Sequence, residues 1–478
     1  MEYKTTIGLE IHAELKTITK MFCGCKNDPL EKTPNINVCP ICLAHPGTLP
    51  TINKKAVELV AAVGYALGGK INDQAHFDRK SYFYPDLPKG YQISQYEEPF
   101  VTGGNLVGVE ITRIHLEEDT ARLSHDKSGS YIDYNRAGLP LMELVTEPVI
   151  ENADKAMEFA KELQLILRYL DASDADMEKG QMRVEANVSI NKEGDDKLGT
   201  KVELKNINSF KAVKGAIEYE VVRQKKVLEA GKKLIQETRG WDDKKSETFS
   251  QRVKESSDDY RYMPEPDLPP VAFTAKNGID LELIRSSTPE LPEDKRKRFA
   301  KEFGLREDQV EVLVNDLQMS EYFEEVYSEL ATLEKATKKN AQLLANYLTS
   351  DVMGLLNEKG ASVNDFKIKA EDMAELVQLI ESGEVSSRVA KDVLREMFKT
   401  GADPHSIIKE KDLGQISDEG EIVKIVKEII EENKKAVEDF KKGKGTAVKF
   451  LIGQAMARLR GRGNPELLEK LFQEYLSK

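Results

Sequence analysis

"MRVEANVSI", Met182 to Ile190, puts Met182, Val184, Ala186, Val188 and Ile190 at every second position, with Arg183, Glu185, Asn187 and Ser189 between them. Successive side chains of a strand point to opposite faces, so the spacing predicts a strand with one apolar and one charged face. The turn-like "NKEGDDKLG" follows, and then "TKVELKN", where Val202 and Leu204 oppose Lys201, Glu203 and Lys205. Together they predict a hairpin. Its charged face fits plain solvent exposure. Its mixture of long basic residues and carboxylates also fits a sheet that handles phosphate and metal. Upstream, Ala153 to Tyr169 has helical spacing and is expected to pack on the sheet. Near the start, "TTIGLEIHAEL" sets Ile7, Leu9 and Ile11 against Glu10, His12 and Glu14, so Glu10 and His12 are neighbours on one strand face.

The chain has 478 residues, enough for roughly two to four domains. It is 40% hydrophobic and 32% charged. No apolar run approaches the ~18 residues that span a membrane. The start, "MEYKTTIGLE", reads neither as a secretion signal nor as a transit peptide, so a cytoplasmic protein is expected. The net charge of −13 argues against a protein that coats nucleic acid non-specifically, while leaving room for a local basic face. Sixteen of the 18 prolines lie at or before Pro292. Beyond it come long amphipathic segments with glycine stops, read as helices, with Gly401 to Pro404 as a joint.

All four cysteines lie in "MFCGCKNDPLEKTPNINVCPICLAHPG", as Cys23-x-Cys25, thirteen residues, and Cys39-x-x-Cys42. In a reducing compartment, paired thiolates point to tetrahedral Zn²⁺ ahead of a disulfide, redox or catalytic role. Four thiolates leave no open position, so this cluster reads as a staple and the chemistry is sought elsewhere.

Three stretches concentrate reactive side chains. "HFDRKSYFYPDLPKGYQIS" places Arg79, Lys80 and Lys89 among aromatics, which suits a nucleotide or RNA surface or an aromatic core turn. "ITRIHLEEDTARLSH" crowds His115, Glu117, Glu118 and Asp119, as a metal site or a charged strand end. "YIDYNRAGLPLMELVTEP" sets Asn135 and Arg136 ahead of Glu143 in a Gly/Pro-shaped loop that could clamp phosphate and metal, or be a solvated turn. No P-loop, dinucleotide fingerprint, nucleophile elbow or H-E-x-x-H motif is present.

These stretches, with "IGLEIHAEL", "ELKNINSF", "QETRGWD" and "SSDDYRYMPEPDLPP" in the same order, strongly resemble the B subunits of the aspartyl/glutamyl-tRNA(Asn/Gln) amidotransferases over essentially the whole chain. The resemblance implies an α+β fold. Residues 1–293 would form a cradle whose antiparallel sheet resembles the glutamine synthetase/guanido kinase fold. Two all-α domains would follow, a helical domain at 294–404 and a tRNA-binding tail at 405–478. It implies ATP-dependent phosphorylation of the side-chain carboxylate of glutamyl-tRNA(Gln) or aspartyl-tRNA(Asn), then amidation by ammonia. That ammonia would come from a partner amidase, the A subunit, held in a heterotrimer by a small C subunit. No glutaminase nucleophile is evident here, which agrees.

Carried onto this chain, the resemblance implies His12 and Glu118 as Mg²⁺ ligands, with Glu10 and Glu143 nearby. Arg79, Lys80, Asn135 and Arg136 would meet the phosphates of ATP. Arg183, Glu185, Lys201, Glu203 and Lys205 would line the floor, some holding a second metal. Period two groups Glu118 with Ile114 and Leu116, against a ligand role unless a bulge intervenes, so the choice between Glu117 and Glu118 stays open and the resemblance favours Glu118. Variation of the cysteines within the family supports a structural role for Zn²⁺. Lys441 to Asn464 holds seven basic residues and no acid. Lys441, Lys442, Lys444, Arg458, Arg460 and Arg462 are therefore candidate tRNA phosphate contacts, or a solvated helix face. A small-molecule carboxylate–amine ligase and a non-enzymatic RNA-binding zinc scaffold are the rival readings.

Overall fold

The computed structural model describes residues 3–195, 197–253, 260–273, 278–411, 413, 419–441, 446–459 and 462–477. The chain forms two compact units, Met1–Leu291 and Pro292–Lys478.

The first unit is built on β1 (Tyr3–Glu14), β2 (Asp78–Ser81), β3 (Tyr91–Ser94), β4 (Val109–Glu118), β5 (Pro140–Thr146), β6 (Met182–Lys192), β7 (Val202–Ile207), β8 (Glu237–Asp242) and β9 (Glu247–Val253). Its helices include α1 (Lys54–Ala66), α2 (Ala153–Tyr169) and α3 (Phe210–Glu229). The main sheet runs β9-β8-β7-β6-β1-β5-β4, continued by short strands at Val101–Thr102 and Lys70–Ile71. β1 lies between β5 and β6, antiparallel to both, with His12 opposite Glu143 on one side and Arg183 on the other. The sheet is mixed rather than purely antiparallel, because β7 and β8 run parallel. A parallel pair needs a long crossover, and α3 between the two strands supplies it.

The period-two pattern decides which face is covered. Ile7, Leu9, Ile11, Met142, Leu144, Val184, Ala186, Val188, Val202 and Leu204 are all buried in one apolar core with residues of α1, α2 and α3. Fully burying each large aliphatic side chain stabilises by about 1.5–3 kcal/mol. The three helices begin where Asn53, Asn152 and Ser209 accept hydrogen bonds from the backbone amides of Ala56, Lys155 and Ala212. These caps satisfy donors that a helix start leaves open. With the apolar face sealed, the charged alternates of β1, β4, β5, β6 and β7 are left on the other face. There β2 and β3 pair antiparallel, joined by Met263–Pro264. This small sheet meets the end of β4, where Gln92 donates to the Glu118 carbonyl at 2.7 Å and Ser94 Oγ donates to Glu117 at 3.0 Å.

The second unit is helical. Ser387–Thr400 ends at Gly401 in the left-handed region. Asp403 then caps the helix Pro404–Glu410. Ile422, Val426, Leu451, Ala455, Leu468 and Phe472 form a core of their own. Arg458 pairs with Glu428 and Glu432 at 3.3 and 3.0 Å, so its charge is engaged within this bundle. Lys441 is exposed and Arg462 half-buried. Lys442, Lys444 and Arg460 lie outside the described residues. No described helix is long and apolar enough to cross a membrane.

Candidate active site

Strand register brings the reactive groups into one row. His12 sits on β1 between Glu143 of β5 and Arg183 of β6, and Glu143 in turn faces His115 of β4. His12 Nε2 lies 3.2 Å from Glu143, 3.6 Å from Glu117 and 3.8 Å from Glu10. His115 Nε2 lies 3.5 Å from the same Glu143 oxygen. One row along, Glu10 faces Glu185, whose carboxylate holds Lys205 Nζ at 2.6 Å. Three sets of side chains offer ligand atoms close enough together for one ion: Glu10 with His12 and Glu143, His115 with Glu117 and Glu143, and Glu10 with Glu185 and Glu203.

The electrostatics follow from that crowding. Burial and the neighbouring carboxylates Glu143 and Glu185 push Glu10 up to about 7. Burial acts to lower the pKa of His12, but its hydrogen bond to Glu143 and the charges of Glu143, Glu117 and Glu185 prevail and raise it to about 9. Glu143, despite burial, is held well below the usual carboxylate range by His115 and His12. The cluster thus gathers a positive charge at its centre, here a proton on His12. A divalent cation satisfies the same demand with more charge.

These groups open into a cavity of about 490 Å³ bounded by Glu10, His12, Lys80, Glu117, Arg183 and Lys205, with Tyr82, Tyr84 and Asp86 also lining it. Lys80 is half-buried; desolvation acts to lower its pKa, yet Glu117, Tyr262, Glu143 and Glu10 keep it raised. Arg183 donates to Asp119 at 3.0 Å. Anions line the wall beside fixed cations, so the cavity can take a negatively charged group without leaving it unpaired.

The structure places Glu117, not Glu118, beside His12. The register irregularity between β4 and β5 falls between Val145 and Thr146, at the far end of the pair. Period two therefore runs unbroken to Glu118, which turns to the other face. There it receives Lys89 Nζ at 2.6 Å and the Ile93 amide at 3.0 Å.

Arg79, Asn135, Arg136, Lys201 and Glu203, also expected at the site, do not line the cavity. Arg79 alternates with Lys80 along β2 and forms a paired hydrogen bond with Glu265, 2.8 Å on each arm. Asn135 braces its own loop, accepting from the Asn37 amide and donating to the Thr33 carbonyl. Arg136 binds the Thr120 carbonyl and Asp119, one residue behind the lining. Lys201 is exposed ahead of β7, and Glu203 is buried next to Lys205. His115, Glu117 and Asp119, which the sequence offered as a metal site or a charged strand end, face this region, as do Tyr82 and Asp86, to which neither motif nor resemblance gave a role. Continuing the alternation Arg113, His115, Glu117 would have found the first two.

The cysteines form a separate cluster. Their four sulfurs come within 4.8 Å of one another, Cys39 and Cys42 at 3.9 Å. A tetrahedral zinc with ~2.3 Å bonds sets sulfurs about 3.8 Å apart, so the set fits that ion. The hydrogen bond from Cys23 and the charge of the fully buried Lys20 help lower Cys42 to about 4, although burial opposes this.

The profile described as "GatB/GatE catalytic domain" matches residues 5–277, and a second, "GatB domain", matches residues 329–476. Proteins named as the B subunit of aspartyl/glutamyl-tRNA(Asn/Gln) amidotransferase are similar along both full lengths. That of Persephonella marina is 46% identical over 487 residues and covers 100% of each chain. That of Caldanaerobacter subterraneus is 45% identical, again over 100% of each, and that of Dehalococcoides mccartyi is 45% identical over 99% of each. The chain belongs to the family of aspartyl/glutamyl-tRNA(Asn/Gln) amidotransferase B subunits. The catalytic-domain match spans every strand that lines the cavity. In this family member, then, the cavity of the first unit is the place to look for chemistry.

Proposed function

We propose that this chain is the kinase and amidation subunit of a tRNA-dependent amidotransferase. It phosphorylates the side-chain carboxylate of glutamyl-tRNA(Gln) or aspartyl-tRNA(Asn) with ATP, and ammonia then displaces phosphate to give the amide. The observation that carries the reading is the meeting of His12, backed by Glu143, with Glu10, Glu117, Lys80, Arg183 and Lys205 around one cavity. Joining a carboxylate to a phosphate brings two anions together, and fixed positive charge is what allows that approach.

His12, Glu10, Glu143 and Glu117 would hold Mg²⁺, with Glu117 in the role expected of Glu118. A bound Mg²⁺ supplies charge neutralisation between the phosphates and the attacking carboxylate. Lys80, Arg183 and Lys205 orient the phosphoryl oxygens, and Glu185 and Glu203 keep Lys205 in place. Tyr82 and Tyr84, which line the cavity, would help exclude water, which would otherwise hydrolyse the acyl phosphate. Cys23, Cys25, Cys39 and Cys42 would hold structural Zn²⁺.

Ammonia would arrive from a partner amidase, the A subunit, with a small C subunit completing a heterotrimer in the cytoplasm. The names of the relatives, which present each as one part of an amidotransferase, support a complex. The likeness of the cradle to the glutamine synthetase/guanido kinase fold belongs to this reading, as does a division of the helical unit near residue 404. The separate apolar core from Ile422 to Leu476 supports that division. The tail would contact tRNA phosphates through exposed cations such as Lys441.

The test uses the chain purified with its partners, with ammonium in place of glutamine. Glutamyl-tRNA(Gln) carrying ¹⁸O in the side-chain carboxylate should yield glutaminyl-tRNA and one ¹⁸O in the released phosphate. Phosphate without ¹⁸O would refute the acyl-phosphate step. Equal turnover of free glutamate would favour a small-molecule ligase.

A further inference from the structure

Each of the other acidic groups named around the cavity has a partner of opposite sign or a place in an ion-binding set among the described residues. Lys205 is held by Glu185 and Arg183 by Asp119. Glu10 and Glu117 belong to sets of ligand atoms that converge on one point. Asp86 has neither. It lines the cavity, yet its Oδ1 is buried without a hydrogen-bond partner among the described residues, and no described set of ligand atoms includes it. A carboxylate oxygen without a protein partner costs stability unless water or a ligand completes it.

Its loop is held by other atoms. The Asp86 carbonyl accepts from the Ala121 amide at 2.9 Å, the Leu87 amide donates to the Tyr84 carbonyl at 3.0 Å, and Tyr134 Oη donates to the Pro85 carbonyl at 3.3 Å. The side chain of Asp86 makes none of these bonds, so it is not there to build the turn. Nor is it remote from the proposed reaction centre. The Tyr82 hydroxyl lies within electrostatic reach of Glu117 and of Asp86 alike.

We infer that Asp86 binds the α-ammonium group of the aminoacyl ester on tRNA. The inference rests on the proposed function and names how that site reads its substrate. The nucleotide phosphates and the side-chain carboxylate are anions, matched by Lys80, Arg183, Lys205 and a divalent ion. The one cation the aminoacyl group brings is the α-ammonium, and the unmatched anion in the wall is Asp86. Pairing them gives a charge-assisted hydrogen bond in a site shielded from water. Two residues of the same turn suit the rest of that substrate. Phe83 and Tyr84 are 82% and 56% exposed, although aromatic, and Tyr84 also lines the cavity. Exposed rings beside such a pocket suit stacking by the terminal base that carries the ester. Asp86 is thus a specificity residue, which accepts a free α-amino group and rejects a blocked one.

The test compares glutamyl-tRNA(Gln) with N-acetyl-glutamyl-tRNA(Gln), using the wild-type complex and Asp86→Asn. Both binding affinity and ammonium-dependent amidation are measured. Wild type should bind the blocked substrate about tenfold more weakly and show a correspondingly higher KM. Asp86→Asn should lose that tenfold on the free-amino substrate only, so that the two substrates become equivalent, and Asp86→Glu should restore part of the preference. Wild-type indifference to the acetyl group overturns the inference, as does an Asp86→Asn defect equal on both substrates. If no variant amidates but binding still discriminates through Asp86, the inference stands and the proposed chemistry falls.

Discussion

Two clusters in the first unit can each gather a metal ion, and they are built on opposite plans. The cysteine cluster uses four identical ligands from one short stretch, Cys23 to Cys42, with sulfurs close enough to saturate a tetrahedral ion. The other draws Glu10 and His12 from β1, Glu143 from β5 and Glu117 from β4, and opens onto a cavity of about 490 Å³. A closed coordination sphere can only hold its surroundings together. An open, mixed one exposes charge to whatever enters. The difference predicts that damage to one cluster should register as lost stability and damage to the other as lost chemistry.

The sharpest separation is expected from His12→Ala and Cys42→Ser. His12→Ala should lower amidation on the order of 10³-fold, with zinc content unchanged. Cys42→Ser should lose zinc by metal analysis and several kcal/mol of stability, on the order of a structural metal's contribution, while the folded fraction still turns over. A zinc-free, folded cysteine variant without activity would erase the distinction. Next in size is the contrast between neighbours. Glu117→Gln should weaken Mn²⁺ affinity about tenfold, as for a group that tunes or ligates the ion. Glu118→Gln should leave that affinity alone and instead cost about 1–3 kcal/mol of stability, by leaving the half-buried Lys89 without its partner.

The smallest effect is one of pH on the metal-free protein. The folded pKa of His12, about 9, exceeds the ordinary histidine value of 6.5, so its contribution to stability is complete below pH 6.5 and lost as pH rises through about 9. Glu10, raised from 4.5 to about 7, has the same sign, with its contribution lost as pH rises through about 7. Melting temperature should therefore fall between about pH 4.5 and pH 9, through Glu10 at the lower end and His12 at the upper, and Mg²⁺ should oppose the fall. Melting that is flat with pH in both wild type and His12→Gln would place the proton elsewhere.

Where a residue's position depends on alternation alone, the sequence was a sufficient guide. Ile7, Leu9 and Ile11 are buried and Glu10 and His12 face the cavity, as period two requires. The helix expected from Ala153 to Tyr169 has those bounds. The failures come where a partner far along the chain decides. Arg79 and Lys80 are adjacent in sequence, and nothing local tells that Glu265, 186 residues on, claims the first and leaves the second to the cavity. Asp119 is likewise fixed by Arg183, 64 residues away. The alternation along β4 points to Glu117, whereas the resemblance favours Glu118. The parallel pairing of β7 and β8 was hidden because "QETRGWD" carries no signal of its direction.

The end of β4 serves as a partition between two rooms. Glu117 lines the cavity of about 490 Å³, while Glu118 lines a second cavity of about 210 Å³ with Lys89, Cys23 and Cys42. Two consecutive residues of one extended strand share a rigid peptide unit and cannot shift independently. Whatever tightens around Glu117 therefore tugs at the lock that Lys89 makes with Glu118. The wall that keeps the two rooms apart is also the rod that joins them.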